Sequence, residues 1–266
     1  RPMKPMVAKR LSDVAPRANL GHRGTGPTRP GHPYPENSIS AFLAAIDQGA
    51  NGVELDVGLS RDAEILVMHD DRLDRTTDCS GCLSAMRLDD LRACRLLDGD
   101  GQPTEEHPPT LAEVYAALPE RSLINVEIKM VGAACAGRQS EPALLVEAVL
   151  EEVIRLGEES RTLFSSFDED VVGLIKELKP RLYCALVSKA PDRTLVDRAL
   201  ALGQDAIHPN HCVSAETVRA ALDAGLGVIV WDANTAEHMR AALDKGVTGI
   251  ITNEPAVLAE LLDGVR

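Results

Sequence analysis

Two acidic residues stand two apart in Asn51-Gly-Val-Glu-Leu-Asp-Val57, a run whose other residues are those of a buried strand. In a strand, residues two apart share a face, so Glu54 and Asp56 point one way while Val53, Leu55 and Val57 point the other. Like charges side by side repel unless a cation stands between them. A second run, Asn125-Val-Glu-Ile-Lys-Met130, puts Glu127 and Lys129 on one face and Val126, Ile128 and Met130 on the opposite one. Three carboxylates on two strands suit one hard divalent cation, Mg2+ or Ca2+, better than zinc, which prefers nitrogen and sulfur. His22 in Gly21-His-Arg-Gly24 and His69 in Val67-Met-His-Asp70 can divide proton removal and proton donation. Arg23 and Lys129 offer positive charge to an anion, most simply a phosphate. Together these residues spell metal-assisted phosphoryl chemistry. Plainer readings stand beside it: the carboxylates as strand-end acids paired with Arg or Lys, and Arg23 and Lys129 as no more than their partners.

Residues this far apart in the chain need a scaffold that gathers strand ends. Eight strand-like runs appear at 18–24, 52–58, 123–129, 162–167, 182–188, 205–209, 227–232 and 248–252. Helical periodicity separates them: Ile39, Phe42, Leu43 and Ile46 follow the i, i+3, i+4, i+7 spacing, and Leu145, Val149, Val153 and Leu156 repeat it. Further helices are expected at about 110–118, 168–179, 191–202, 214–224, 235–245 and 255–262, with start signals such as Asn234 followed by Glu237. Strict alternation of eight strands with eight helices predicts an α/β fold, a (β/α)8 TIM barrel. One interval breaks the rhythm. About residues 59–109, with a strand-like Glu64–Asp70 and a Gly/Pro/acid-rich tract from Asp98 to Pro109, form an insertion after the second strand, expected to be a small cap within one domain spanning 1–266. A βα loop places it on the C-terminal face of the barrel, where active sites are built.

Composition narrows the partners. With 266 residues, 44% of them hydrophobic and only 3% aromatic, the core must be filled by Ala, Leu and Val. The formal charge of −13 argues against nucleic-acid or anionic-membrane surfaces, which need basic patches. No apolar run approaches the ~18 residues of a membrane span. The opening Arg1-Pro-Met-Lys-Pro-Met6 lacks an initiator Met and an apolar signal region, and reads as a processed or trimmed terminus. Of six cysteines only Cys79 and Cys82 form a C-x-x-C pair, with no second pair to complete a zinc site. A short disulfide between them, in keeping with an exported protein, is preferred over two free thiols. Cys184 reads as a small buried hydrophobe. His208, His211 and His238 read as surface or cap residues.

The order and spacing of His22-Arg-Gly24, Pro35-Glu-Asn37, Glu54-x-Asp56, His69-Asp70, Arg75-Thr-Thr77, Glu127-x-Lys129, Ser166-Phe167, Trp231 with Asn234, and Gly249-Ile-Ile-Thr-Asn253 resemble the glycerophosphodiester phosphodiesterase family, built on a phosphatidylinositol-phosphodiesterase-like TIM barrel. The resemblance covers about residues 19–262. It implies hydrolysis of small-molecule glycerophosphodiesters to sn-glycerol 3-phosphate and an alcohol. It also implies Glu54, Asp56 and Glu127 as metal ligands, His22 and His69 as the acid–base pair, and Arg23 and Lys129 at the phosphate. Two other readings fit the same residues: a related lipid phosphodiesterase of the phospholipase D or sphingomyelinase D kind, and a catalytically silent barrel that binds a phosphorylated ligand.

Other positions are assigned around this core. Trp231, the only tryptophan, serves either as barrel packing or as an apolar wall for the substrate. Glu36 and Asn37 are expected behind the ligands, and an acid in a helix's first turn is favourable for dipole reasons alone. Where the family pattern is shorter, this chain runs Thr25-Gly-Pro-Thr-Arg-Pro-Gly-His-Pro-Tyr34, a proline-stiffened loop that brings Arg29 and His32 toward the site mouth. Asp232, beside Trp231, adds an acid to the family pattern. These departures bear on head-group choice more than on the reaction.

Overall fold

The computed structural model describes residues 17–136, 141–190, 192 and 194–264. The reading of the N-terminal Arg1–Met6 lies outside the described residues, as do Pro191 and Arg193 of the helix expected over 191–202. Strands β1 (Ala18–His22), β2 (Gly52–Leu59), β4 (Leu123–Ile128), β5 (Thr162–Ser166), β6 (Tyr183–Ser188), β7 (Ala206–Pro209), β8 (Gly227–Trp231) and β9 (Gly249–Thr252) pair in parallel, and β1 pairs with both β2 and β9 to close the barrel. Strand β3 (Ile65–Val67) lies outside this circuit, antiparallel to β2. Helices α1 (Ile39–Asp47), α3 (Leu111–Ala117), α4 (Pro142–Leu156), α5 (Glu169–Leu178), α6 (Thr194–Ala201), α7 (Ala215–Asp223), α8 (Ala236–Asp244) and α9 (Pro255–Asp263) follow the barrel strands in turn. A short helix, α2 (Leu88–Ala93), belongs to the segment between β3 and α3.

The period of two along each strand separates two cores. Outward residues such as Val53, Leu55, Val57, Ile124, Val126 and Ile128 join Phe42, Val114, Val149 and Ile175 from the helices in one continuous apolar layer. Inward residues at the N-terminal end of the strands (Ala18, Leu20, Leu123, Leu163, Tyr183, Ile229) plug the barrel. Farther along the same strands the inward positions turn polar. Helix starts are fixed locally: Ser38 accepts from the Ala41 N–H, Thr110 and Glu113 form a reciprocal capping box, and Asp168 accepts from Asp170 and Val171.

Between β2 and α3 the chain builds its own small core from Leu66, Met68, Leu73, Leu83 and Leu91. The expected strand over Glu64–Asp70 is only three residues long. Two disulfides secure this segment, and neither is the Cys79–Cys82 bridge expected from the C-x-x-C spacing: Cys79 bonds Cys94, and Cys82 bonds Cys135 in the segment after β4. Gly81 lies between the pair in the left-handed region (φ +109°), and each thiol finds a partner delivered by tertiary folding. Cys184 is fully buried, as expected, and Cys212 is free and exposed.

The Cys82–Cys135 bridge closes 53 residues of chain, and loop-closure entropy for such a span is worth about 4 kcal/mol before native strain is counted. Replacing both cysteines by alanine is expected to lower stability by about 2–4 kcal/mol in urea unfolding. A loss within error would show that packing alone holds the insertion to the barrel.

Candidate active site

Parallel pairing of β2 with β4 sets Asp56 directly beside Glu127, and Glu54 lies one inward step below Asp56. One oxygen from each of Glu54, Asp56 and Glu127 lies within 4.8 Å of the others, and Glu54 and Asp56 are buried. Burial first, then the neighbouring Asp56 charge, pushes the Glu54 carboxyl well above the usual carboxylate range and the Glu127 carboxyl to about 8. Asp56 departs in the opposite direction. Burial opposes its ionisation, but Arg23, Lys129 and His69, together with a hydrogen bond from Asn37, hold it below its usual value. The donors are all hard oxygens, and the protein's own cations relieve their mutual repulsion only in part at Glu54 and Glu127, so the cluster fits a hard divalent cation.

The turn after β1 is shaped to serve this cluster. Arg23 and Gly24 both take positive φ (+49° and +92°), and a Cβ at residue 24 would meet the Ala41 backbone at 2.6 Å. That turn aims the Arg23 backbone N–H at Glu54 Oε2 (3.0 Å) and its guanidinium at Glu36 Oε1 (2.9 Å) and Asp56 Oδ2 (3.5 Å). Lys129 Nζ lies 3.7 Å from Asp56 Oδ1 and donates to the His69 carbonyl at 3.4 Å. Asn37, itself at φ +59°, donates Nδ2 to Asp56 Oδ2 (3.0 Å).

Glu36 does not lie in a helical first turn, because α1 begins at Ile39 behind the Ser38 cap. It is buried and accepts both terminal nitrogens of Arg75 at 2.7 Å; these bonds and nearby Arg23 overcome burial and hold its carboxyl at about 2. Arg75 in turn donates to Asp70 (2.6 Å), and Asp70 accepts from His69 Nδ1 (2.6 Å). His22 is held the same way by a neutral group, its Nδ1 donating to Asn253 Oδ1 at 2.6 Å. Since carboxylate and amide oxygens only accept, both rings carry their proton on Nδ1 and leave Nε2 available. Burial lowers both imidazole pKa values, with the positive charge of Arg23 adding to it.

Asp70, Arg75 and Asn253 were visible in the motifs but had no role in the sequence reading. Asn253 could have been found by parity, two residues beyond the inward Ile251.

A cavity of about 340 Å3 opens above the carboxylates, with His22, Arg23, His69 and Lys129 on one side. The opposite wall is mostly apolar. Trp231 and Phe167 meet edge to face at 5.5 Å, Trp231 donates its indole N–H to the His208 carbonyl at 3.0 Å, and Lys189 sits over the Phe167 ring. Asp232 lines the cavity at φ +63° and accepts from Asn234 Nδ2. Of the Thr25–Tyr34 loop, Pro27 reaches the cavity. Arg29 pairs with Glu254 at 3.0 Å, and His32 Nδ1 donates to the Tyr34 carbonyl, so neither lines it. His208 is not a surface residue: it projects inward from β7, fully buried, whereas His211 and His238 stack on each other outside the cavity.

Carboxylates, paired histidines and cations gathered at the C-terminal ends of the strands stand where a (β/α)8 barrel builds its active site. Residues 22–257 match the model of the glycerophosphoryl diester phosphodiesterase family, and the chain belongs to that family. A glycerophosphodiester phosphodiesterase of Caldanaerobacter subterraneus subsp. tengcongensis is 29% identical over 246 residues, 91% of this chain and 96% of that protein. Among solved structures, a glycerophosphodiester phosphodiesterase of Thermotoga maritima superposes with a TM-score of 0.71 at 27% identity, covering 94% of this chain and 99% of the other. An Oleispira antarctica phosphodiesterase, solved with the product sn-glycerol-3-phosphate, superposes with a TM-score of 0.79 at 23% identity, covering 95% and 99%. The chain is thus a phosphoric diester hydrolase, and no helix among its described residues is long and apolar enough to cross a membrane.

The raised carboxyls carry a consequence for stability. Between the ordinary value of 4.5 and about 8, an unfolded chain ionises acids that the metal-free fold keeps protonated, so metal-free protein loses stability as pH rises through that window. Because the lowered histidines oppose this trend below their ordinary value of 6.5, the fall should be read from pH 7 to pH 8, where melting temperatures in chelator should drop and added Mg2+ or Ca2+ should reverse the drop most strongly at the upper end. A chelated protein whose melting temperature rises over that range would contradict the assignment of repulsion to this cluster.

Proposed function

We propose that this enzyme hydrolyses glycerophosphodiesters to sn-glycerol 3-phosphate and an alcohol, using one divalent cation at Glu54, Asp56 and Glu127 and acid–base catalysis by His22 and His69. The observation that carries the reading is the convergence of three carboxylates and two Nδ1-anchored histidines on one cavity. When bound, the cation would polarise a non-bridging phosphate oxygen and offset charge developing in the transition state. Arg23 and Lys129 position the phosphate and keep Asp56 ionised. One histidine Nε2 accepts the nucleophile's proton while the other, carrying a proton on Nε2 as an imidazolium beside the anionic phosphate, gives that proton to the departing alkoxide, so one proton enters the pair as one leaves it. Asp70 stabilises an imidazolium at His69 as it forms, whereas Asn253 orients His22 without adding charge. The Trp231–Phe167 pair provides an apolar wall for the carbon chain. The product held by the Oleispira phosphodiesterase supports this choice of substrate. Two disulfides favour an oxidising, exported setting over the cytoplasm.

Hydrolysis of a glycerophosphodiester panel with and without chelator tests reaction and metal together: chelation should abolish turnover and Mg2+ or Ca2+ restore it. Full activity in excess chelator would sink the metal assignment. His22→Ala and His69→Ala should each lower kcat by ~10²-fold or more. The double variant should lose far less than the product of the two, since both serve one proton-transfer cycle.

Head-group choice is assigned to Asp232 and to the Thr25–Tyr34 loop acting through Pro27. Arg29 and His32 contribute by bracing that loop. A partly exposed carboxylate beside Trp231 favours a cationic or polyhydroxylated head group by roughly 1 kcal/mol. Asp232→Thr and a loop-shortened variant should reorder glycerophosphocholine, glycerophosphoethanolamine, glycerophosphoglycerol and glycerophosphoinositol by kcat/KM. Unchanged order with lower rates throughout would assign both segments to stability instead.

A further inference from the structure

The cavity wall opposite the carboxylates contains one polar ring that the chemistry above does not use. His208 is only 1% exposed, and neither its Nδ1 nor its Nε2 has a hydrogen-bond partner. A buried imidazole with both nitrogens unpaired is an unusual expense in a folded interior, where buried polar groups are nearly always satisfied. Its orientation follows from strand parity: Ala206, two residues earlier on β7, belongs to the inner plug, so residue 208 points into the barrel one step higher, where it lines the cavity. The backbone around it is fixed. Its carbonyl accepts the Trp231 indole N–H, and β7 pairs it with Val187, another residue of the same wall.

We propose that His208 reads a hydroxyl group of the substrate's glycerol moiety, accepting a hydrogen bond through one ring nitrogen or donating through the other; this rests on the glycerophosphodiester reading above. Several properties select a hydroxyl over other partners. Burial holds the ring neutral, with its pKa lowered to about 3, so it has no charge to offer a phosphate. Of the cations that line the cavity, Arg23 and Lys129 stand at the carboxylate cluster and Lys189 lies over the Phe167 ring, and none is bonded to His208. The immediate wall of Val187, Trp231 and Ile251 favours a neutral, largely carbon-bearing group. A neutral imidazole presents one donor and one acceptor, which is the complement of an alcohol O–H. A site built to hydrogen-bond a hydroxyl discriminates strongly against an analogue that lacks it, because the protein's own polar group is then left buried and unpaired.

The test compares glycerophosphocholine with its two monodeoxy analogues, the phosphocholine diesters of propane-1,2-diol and propane-1,3-diol, in the parent, His208→Phe and His208→Gln. The parent is expected to prefer the full diol by ~10²-fold or more in kcat/KM over at least one analogue. In His208→Phe that ratio should collapse to within a few-fold of one, and His208→Gln, which keeps a donor and an acceptor, should recover part of it. Inhibition gives a second readout that does not need turnover. The inhibition constant for sn-glycerol 3-phosphate should rise at least ten-fold more in His208→Phe than that for inorganic phosphate. Equal losses on diol and deoxy substrates, or parallel rises in both inhibition constants, would assign His208 to barrel packing and overturn the proposal while leaving the phosphodiesterase reading intact. A parent that hydrolyses no glycerophosphodiester would overturn both.

Discussion

Repulsion among Glu54, Asp56 and Glu127 is the constraint around which the C-terminal end of this barrel is arranged. Three acids with oxygens within 4.8 Å, in a protein interior, cannot all be ionised without compensating charge. The parallel register of β2 and β4 makes the crowding unavoidable, because it sets Asp56 beside Glu127 whatever the side chains prefer. Compensation is uneven. Arg23, Lys129 and Asn37 converge on Asp56, whereas Glu54 receives the Arg23 backbone N–H and Glu127 no hydrogen bond among the described residues. The protein thus compensates one carboxylate and leaves two underneutralised, a repulsion that the proposed cation would relieve. The cost is met elsewhere, in the apolar plug and in the continuous layer between strands and helices.

From the same cluster a chain of ion pairs runs outward through Arg23, Glu36, Arg75 and Asp70 to His69. Each link joins segments remote in sequence: the β1 turn, the stretch before α1 and the insertion after β2. His69 stands beyond the short β3 strand, on a segment with few regular hydrogen bonds of its own. Its position therefore depends on this relay and on the small core and disulfides that hold the insertion in place. Breaking a buried link leaves an uncompensated charge, so Glu36 matters beyond its distance from the reacting atoms. Left-handed backbone at Arg23, Asn37 and Asp232 fits the same picture, since such conformations persist where surrounding contacts over-determine them.

Period-two patterning made much of this legible in the chain itself. Glu54, Asp56 and Glu127 announced themselves by violating the apolar expectation of their strands, and alternation of strand and helix revealed the barrel and the place of the insertion. What the chain concealed depends on tertiary neighbours. Cys94 and Cys135 become partners of Cys79 and Cys82 only once the insertion folds against the segment after β4, so local spacing favoured the wrong bridge. His208 was misread because an isolated histidine beside a proline looks like a strand end at the surface. Inward parity from Ala206, read in the frame of the closed barrel, puts it in the cavity lining. Arg29 and His32 look like cavity residues in a loop that follows β1, but Glu254 and the Tyr34 carbonyl draw them away.

The barrel is chemically two-sided. Strands β1, β2 and β4, with the insertion, carry the carboxylates, the cations and the paired histidines. The strands from β5 to β8 and the loops that follow them contribute Phe167, Val187, His208 and Trp231, with Lys189 and Asp232 as the charged residues of that side. A diester has the same division, with a charged phosphorus centre and neutral, hydroxyl-bearing carbon arms. The long insertion falls on the charged half, where several remote groups must be locked in register. The other half needs only short βα connections, two to five residues between strand and helix. Substitutions in that half can therefore alter which alcohol or polyol fits without disturbing the ion-pair relay, whereas the charged half has little freedom because most of its charged residues are one another's counterions.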